Sequence, residues 1–153
     1  MSLKLRSLNT NVLLAALFLA TAGGILQIGG ASWDVTSHIL RQPETFFTPS
    51  HTVLYTGVGL TTIAAIIGIY ISLKNREEVR GKSFYAALKL LMIGVAIQLV
   101  SGPGDFMWHS VFGVDGLMSP PHLALATGIL INSIATVVGL ARIMPRIQLK
   151  RSQ

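Results

Sequence analysis

Four histidines and two aspartates fall on one spacing that is written twice in this chain of 153 residues. Each copy reads Asp-x3-His-x12-His, with corresponding members 71 positions apart, and the six residues are Asp34, His38, His51, Asp105, His109 and His122. An aspartate and a histidine four residues apart share one face of a helix. A second histidine at the start of the next segment completes a set of two imidazoles and one carboxylate, which suits copper, iron or zinc. The spacing predicts metal binding, at two sites or at one merged site.

The repeat extends beyond these six residues. At the same offset, small and polar residues recur in the pairs Gly23 and Gly94, Gln27 and Gln98, Gly57 and Gly128, and Thr48-Pro49 and Ser119-Pro120. Recurrence at a fixed period indicates a duplicated unit. We expect repeat 1 at about 11–73 and repeat 2 at about 84–144.

The composition is that of a membrane protein. Hydrophobic residues make up 51% of the chain, charged residues 12%, and the mean hydropathy is +0.61, whereas a soluble domain carries about twice that share of charge. Four segments are long enough to cross a bilayer as helices of about 20 apolar residues, at 11–32, 52–73, 84–104 and 122–144. We predict an all-α integral membrane protein, a single membrane domain over 1–153 with four transmembrane helices as two tandem parallel-repeat helical hairpins. Without cysteine, thiolate metal sites are excluded.

Basic residues are concentrated at the two termini and in the middle loop. Ten of them lie there: Lys4, Arg6, Lys74, Arg76, Arg80, Lys82, Arg142, Arg146, Lys150 and Arg151. Only Arg41 lies in the other two connections. The positive-inside rule then predicts a multi-pass protein of the cell membrane with cytoplasmic termini and with both Asp-His-His sets at the outer face. Because this topology and anionic lipid account for the net charge of +6, we expect no nucleic-acid partner.

The residues that flank the two Asp-His-His sets support the prediction of a metal site. Thr48-Pro49 and Ser119-Pro120 are helix-start signals, a hydroxyl at the N-cap followed by proline at the first helical position. They place His51 and His122 in the first turn of the returning helices, facing back toward the outgoing ones. Glu44 and Asp115 are candidates to accept an imidazole N–H from outside the ligand set.

Other polar, small, sulfur-containing and aromatic residues receive weaker predictions. We expect Gln27 and Gln98 to hydrogen-bond between helices and the recurring glycines to permit close helix packing. Met107 and Met118 are soft ligands if they are more than apolar filler. An interfacial aromatic belt is expected from Trp33, Phe46, Phe47, Tyr55 and Trp108.

Two stretches of the chain resemble a known family. They read WDVTSHILRQPETFFTPSH and GDFMWHSVFGVDGLMSPPH, at 33–51 and 104–122. Both resemble the C subunit of the copper membrane monooxygenases, the particulate methane and ammonia monooxygenases, in which an Asp-x3-His-x12-His set binds copper. The resemblance implies that Asp34, His38 and His51 are copper ligands. A later set in that family, commonly with asparagine as its first member, corresponds to Asp105, His109 and His122.

Three functional classes follow. The first, implied by the resemblance, is a copper-binding subunit of a monooxygenase complex with other integral membrane subunits, including an accessory subunit of an archaeal ammonia monooxygenase. The second is a stand-alone membrane protein that handles copper or zinc, and the third is a structural subunit with vestigial sites. Imidazole and carboxylate ligands alone do not choose among copper, iron and zinc, and no residue is assigned a catalytic role.

Overall fold

The regular structure of the described residues consists of four helices. The computed structural model describes residues 3–43, 45–74, 82–113 and 118–151, with side chains described for 9–43, 45–74, 84–113 and 118–144. Helix α1 spans Leu3–Ile39, α2 Pro49–Lys74, α3 Lys82–Phe112 and α4 Pro120–Arg151. The predicted all-α architecture is confirmed. Each helix contains a segment long and apolar enough to cross a membrane, namely Asn9–Ile39, Pro49–Lys74, Phe84–Phe112 and Pro120–Met144, which fits a multi-pass membrane protein.

Helices α2 and α4 begin where the sequence signals predicted, and all four helices end later than the predicted apolar segments. Helices α2 and α4 start at Pro49 and Pro120, since a proline at the first helical position has no N–H to leave unsatisfied. Helix α1 continues to Ile39 and α3 to Phe112, past the predicted limits at 32 and 104. The apolar run marks only the part of the helix that suits the hydrocarbon core of a bilayer. The helical hydrogen bonding of the backbone continues beyond it until a capping residue ends the helix.

Two C-terminal caps lie directly beside histidines of the predicted site. Arg41 has a φ of 50°, and the amides of Arg41 and Gln42 donate to the carbonyls of His38 and Ser37, both at 3.0 Å. This pattern is a Schellman motif. Gly113 has a φ of 77°, and its amide donates to the carbonyl of His109 at 3.0 Å. The caps therefore fix the backbone at the last turn of both outgoing helices.

Glycine pairs allow the two helices of each hairpin to approach closely. Helix α1 packs mainly on α2, and α3 mainly on α4. A Cβ atom added to Gly57 would lie 2.5 Å from the carbonyl oxygen of Gly23, and one added to Gly128 would lie 3.0 Å from that of Gly94. The predicted close packing at these glycines is confirmed.

A chain of buried polar side chains crosses the middle of the bundle. Asn132 on α4 donates to Gln98 on α3 at 2.8 Å, Gln98 donates to Gln27 on α1 at 2.5 Å, and Gln27 donates to Thr61 on α2 at 2.8 Å. The predicted hydrogen bonding of the two glutamines between helices is confirmed. Thr61 and Asn132 also stand 71 positions apart. The same contacts therefore recur at the offset of the sequence repeat, and the duplication itself stays a prediction.

Candidate metal centre

The six predicted residues lie together at one end of the bundle. Asp34 and His38 occupy the last turns of α1, and Asp105 and His109 the last turns of α3. His51 and His122 lie in the first turn of α2 and α4. Within each hairpin, the aspartate near the end of the first helix therefore faces the histidine at the start of the second helix. Two carboxylates and four imidazoles at one end of the bundle form a candidate cation site.

Burial differs among the six. Asp34, His38, His51 and Asp105 are buried, with 4%, 6%, 8% and 9% of their surface exposed, and His109 and His122 are half-buried. An anionic carboxylate is costly to bury unless positive charge compensates it. The site therefore favours a cation in contact with its carboxylates.

Three imidazoles among the described residues form a group that could hold a metal ion. One ring nitrogen from each of His38, His109 and His122 lies within 4.8 Å of the other two. The His38 ring centroid is 4.8 Å from that of His122 and 5.0 Å from that of His109. His38 comes from the first set and the other two from the second, so the two sets meet in one cluster.

The donor set fits a metal ion by its chemistry, while its nitrogens lie farther apart than those of ligands on one ion. Metal–imidazole bonds of about 2.0–2.1 Å allow two ligand nitrogens on one ion to be at most about 4.2 Å apart. The nitrogens of His38, His109 and His122, which are up to 4.8 Å apart, therefore have to move closer together when an ion binds, to about 3.4 Å in a tetrahedral arrangement.

Two of the three imidazoles are held through Nδ1. The Nδ1 of His109 lies 3.0 Å from the carbonyl oxygen of Gly113, and because a carbonyl only accepts, this nitrogen carries the proton. The Nδ1 of His122 lies 2.7 Å from the hydroxyl of Ser119, which also accepts the backbone amide of His122 at 3.4 Å. Metal-binding histidines are commonly held in this way by the ring nitrogen that does not bind the metal. Here the arrangement directs Nε2 of both rings toward the carboxylates.

Each carboxylate contacts histidines from more than one helix. Oδ1 of Asp105 lies 3.4 Å from Nε2 of His109 and 3.5 Å from Nε2 of His122. Oδ2 of Asp34 lies 3.5 Å from Nε2 of His38 and 3.7 Å from Nε2 of His122. His122 therefore stands between the two carboxylates, where a bound cation is attracted by both negative charges.

His51 lies on the other side of Asp34. Its Nε2 is 2.9 Å from Oδ1 of Asp34, and its Nδ1 is 3.1 Å from the carbonyl oxygen of Thr45. Ser50 donates its hydroxyl to the same Oδ1 at 2.9 Å. His51 is thus placed against Asp34 and does not join the three-histidine group.

Several contributors to the site were not predicted from the sequence. Ser50 carries no signal except that it follows Pro49, and Thr45 contributes only a backbone oxygen. Gly113 shows the one recognisable signal, a glycine just after a helical pattern, which is typical of a helix C-terminus. Glu44 and Asp115, predicted to accept an imidazole N–H, lie outside the described residues.

Aromatic rings flank the cluster on the side of α2. The Phe46 ring lies 5.2 Å from that of Tyr55 and 5.6 Å from that of Phe106, and Tyr55 lies 5.7 Å from the His51 ring. Trp33 and Phe47 are exposed. The position of these rings near the predicted bilayer surface suits an interfacial belt, which stays a prediction.

Comparisons of the chain with models of known protein families, with curated proteins and with solved structures find no match.

Proposed function

We propose that this chain is an integral membrane protein that binds a metal ion through His38, His109 and His122, with the charge of Asp34 and Asp105 beside it. The observation that carries the proposal is the convergence of these three imidazoles from three helices to within 4.8 Å. Buried imidazoles could pack there for structural reasons alone. The Nδ1 contacts of His109 and His122, which direct Nε2 toward two carboxylates, favour a cation instead.

We further propose copper as the metal and a copper membrane monooxygenase complex as the setting. Both follow from the resemblance of residues 33–51 and 104–122 to the C subunits of that family. When bound, copper supplies one-electron redox chemistry. The chain itself supplies the imidazole ligands, the two carboxylates and a largely buried environment. Its partners would be other integral membrane subunits and lipid, and the exposed apolar side chains along all four helices, such as Ile25, Tyr70, Val100 and Val137, suit both.

The proposed orientation places the termini in the cytoplasm and the metal centre at the outer face. It rests on the ten basic residues at the termini and in the middle loop, against Arg41 alone in the other two connections. Lys74 is consistent with this placement, since it lies at the last residue of α2, the end away from the metal centre.

A second candidate function is a stand-alone copper-handling protein. Two methionines near the site favour it, since Met107 lies in the last turns of α3 and Met118 directly precedes Ser119, and both are exposed. Thioethers are soft ligands that suit Cu(I). In this function the metal is cargo and no large partner is needed.

One preparation separates these functions. The full chain is purified from its own membrane in mild detergent, its metals are measured by elemental analysis, and the copurifying proteins are identified. Copper together with stoichiometric larger membrane subunits supports the monooxygenase setting, and copper in an isolated chain supports the handling function. A metal-free chain that takes up no copper on titration contradicts both and leaves a structural subunit.

A further inference from the structure

A cavity of about 230 Å³ lies between α1 and α4. Gln27 is on its buried floor, and Ile25 and Val137 are exposed at its rim. The residues of α4 that line this α1–α4 cavity run from Ile129 to Leu140, a rise of about 16 Å at 1.5 Å per residue. The hydrocarbon half of one bilayer leaflet is about 15 Å thick. The cavity is therefore about as long as one leaflet is thick.

The cavity exists because α1 carries small side chains where α3 carries large ones. At the 71-residue offset, Ala20, Thr21 and Gly24 correspond to Leu91, Met92 and Val95. Leu91 and Val95 are buried in a cluster that includes residues of α2, and Met92 packs against it. A Cβ atom added to Gly24 meets nothing within 4 Å. The space between α2 and α3 is thus filled by aliphatic side chains, whereas the equivalent space between α1 and α4 is open.

The polar residues of the cavity leave it an apolar lining. Thr21, Ser133 and Thr136 donate their hydroxyls to backbone carbonyls of their own helices, at 2.9, 2.8 and 2.7 Å. Gln27 and Asn132 donate within the buried polar chain that crosses the bundle. No lining residue is charged. Since a charged or strongly polar ligand needs partners at this depth in a membrane, the lining suits an aliphatic chain.

The ends of the two helices that border the cavity are basic. The stretches before residue 9 and after residue 141 contain six basic residues and no acidic one, namely Lys4, Arg6, Arg142, Arg146, Lys150 and Arg151. The connection between α2 and α3, beside the filled space, also contains Glu77 and Glu78. Basic residues next to a membrane span attract anionic lipid headgroups. The open space and the unbalanced positive charge therefore belong to the same pair of helices.

We propose that the α1–α4 cavity holds an acyl chain of an anionic phospholipid whose headgroup lies at the basic ends of these helices. An acyl chain is neutral and aliphatic, like the side chains that fill the equivalent space between α2 and α3. It extends from the headgroup level to the middle of the bilayer, and the basic ends attract its phosphate. A helix of another subunit would fill the space without using this charge. The lipid site does not depend on the proposed metal binding.

Spin-labelled lipids test the proposal on the full chain in phosphatidylcholine vesicles. The label is placed near the end of the acyl chain, and electron paramagnetic resonance measures the lipids whose motion the protein restricts. Spin-labelled phosphatidylglycerol should be held at least about fivefold more strongly than spin-labelled phosphatidylcholine. Equal retention of the two lipids would overturn the proposal.

Thr21→Met/Gly24→Val fills the cavity with the side chains that α3 carries at the 71-residue offset, and it should abolish this preference. Thr56→Met/Gly59→Val is the matched control and should keep it. Thr56 and Gly59 have the same spacing and are exposed, Thr56 makes the same kind of local hydroxyl bond, and a Cβ atom at Gly59 meets nothing within 4 Å. The same result in both double variants would contradict a site in this cavity.

A photoreactive residue provides a second measurement that does not require the cavity to be filled. Val137→p-benzoylphenylalanine is introduced at the rim, and the full chain is irradiated in its own membrane. Mass spectrometry should identify a crosslinked phospholipid, whereas a crosslink to another protein would overturn the proposal in favour of a partner helix. Copper retention by the same double variants tests metal binding separately, and its absence from the unchanged chain would overturn the proposed function while leaving the lipid site standing.

Discussion

Nε2 of His122 lies 3.7 Å from Oδ2 of Asp34, although the two residues belong to opposite halves of the chain. The contact joins the first turn of α4 to the last turns of α1. The two Asp-His-His sets therefore form one cluster. Ligands from both halves of the chain should be needed for metal binding.

We first predict that His38→Ala and His122→Ala each abolish metal binding by themselves. One imidazole is lost from a three-histidine group in either variant, and the remaining two hold a cation far more weakly. Bound metal measured by elemental analysis after desalting should fall below about a tenth of the unchanged level in both. Ser110→Ala is the control, because Ser110 is exposed near the site and its hydroxyl donates to the carbonyl of Met107 in its own helix. Retention of half the metal in either histidine variant would indicate two independent sites.

Asp105→Asn should weaken metal retention without unfolding the protein. The substitution keeps the shape of the side chain and removes the negative charge of its carboxylate. Oδ1 of that carboxylate lies 3.4 Å from Nε2 of His109 and 3.5 Å from Nε2 of His122. The attraction between two unit charges about 4 Å apart is up to about 4 kcal/mol at an effective dielectric constant of about 20. Removing the carboxylate charge should therefore lower the affinity for the cation at least about tenfold. If the metal is copper, its reduction potential should rise, because the negative charge favours the oxidised ion.

Chelator competition and redox titration measure these two effects, and thermal unfolding checks the fold. Asp115→Asn makes the same change in charge outside the proposed ligand set and should have a smaller effect. Equal effects of the two variants would mean that Asp105 contributes only to the general charge of this face.

Gly57→Ala should destabilise the bundle, whereas Gly59→Ala should not. A Cβ atom at Gly57 would meet the carbonyl oxygen of Gly23 at 2.5 Å, and one at Gly59 meets nothing within 4 Å. Overpacking of this kind costs about 1–3 kcal/mol, while alanine for glycine at an open helical site gains about 0.5–1 kcal/mol. The melting temperature in detergent should therefore fall for the first variant and rise slightly for the second. A common direction of change would argue against the close approach of α1 and α2.

The double variant Gln27→Leu/Gln98→Leu should cost less stability than the sum of the costs of the two single variants. Gln98 accepts from Asn132 and donates to Gln27, so the single variant leaves two buried polar groups without their partners, at about 0.5–2 kcal/mol. In the double variant the Gln27 side chain, one of those two groups, is removed as well, so its share of the cost disappears. Unfolding of the single and double variants in detergent gives the coupling, and Thr56→Val, at an exposed threonine with a local bond to Thr52, is the control. Strict additivity would show that the two glutamines are not coupled.

Labelling should place the metal centre outside the cell. The chain has no cysteine, so Gln42→Cys and Glu78→Cys each introduce a single thiol. A membrane-impermeant maleimide added to intact cells should label position 42, in the exposed connection after α1. It should leave position 78 unlabelled, because the proposed orientation places the basic middle loop in the cytoplasm. The reverse pattern would overturn the proposed orientation.

Hydropathy and local signals were sufficient to predict the elements of this fold. The four helices follow from four long apolar runs, and the starts of α2 and α4 follow from Thr48-Pro49 and Ser119-Pro120. Each of these features acts within one helical turn or along one helix, so neighbouring residues determine it. The recurrence of Gly57 and Gly128 likewise predicted close packing, because a helix without a side chain at that position can be approached by another.

The grouping of the site residues was decided by the tertiary structure. A spacing of four residues places Asp34 beside His38 within α1, and it says nothing of the distance from Asp34 to His122 on α4. That distance depends on how α1, α3 and α4 pack, and the sequence contains it only through many weak contacts. The separation of His51 from the three-histidine group has the same origin, since it depends on a backbone oxygen of Thr45 and on the hydroxyl of Ser50, whose positions are fixed only when the connection between α1 and α2 is folded.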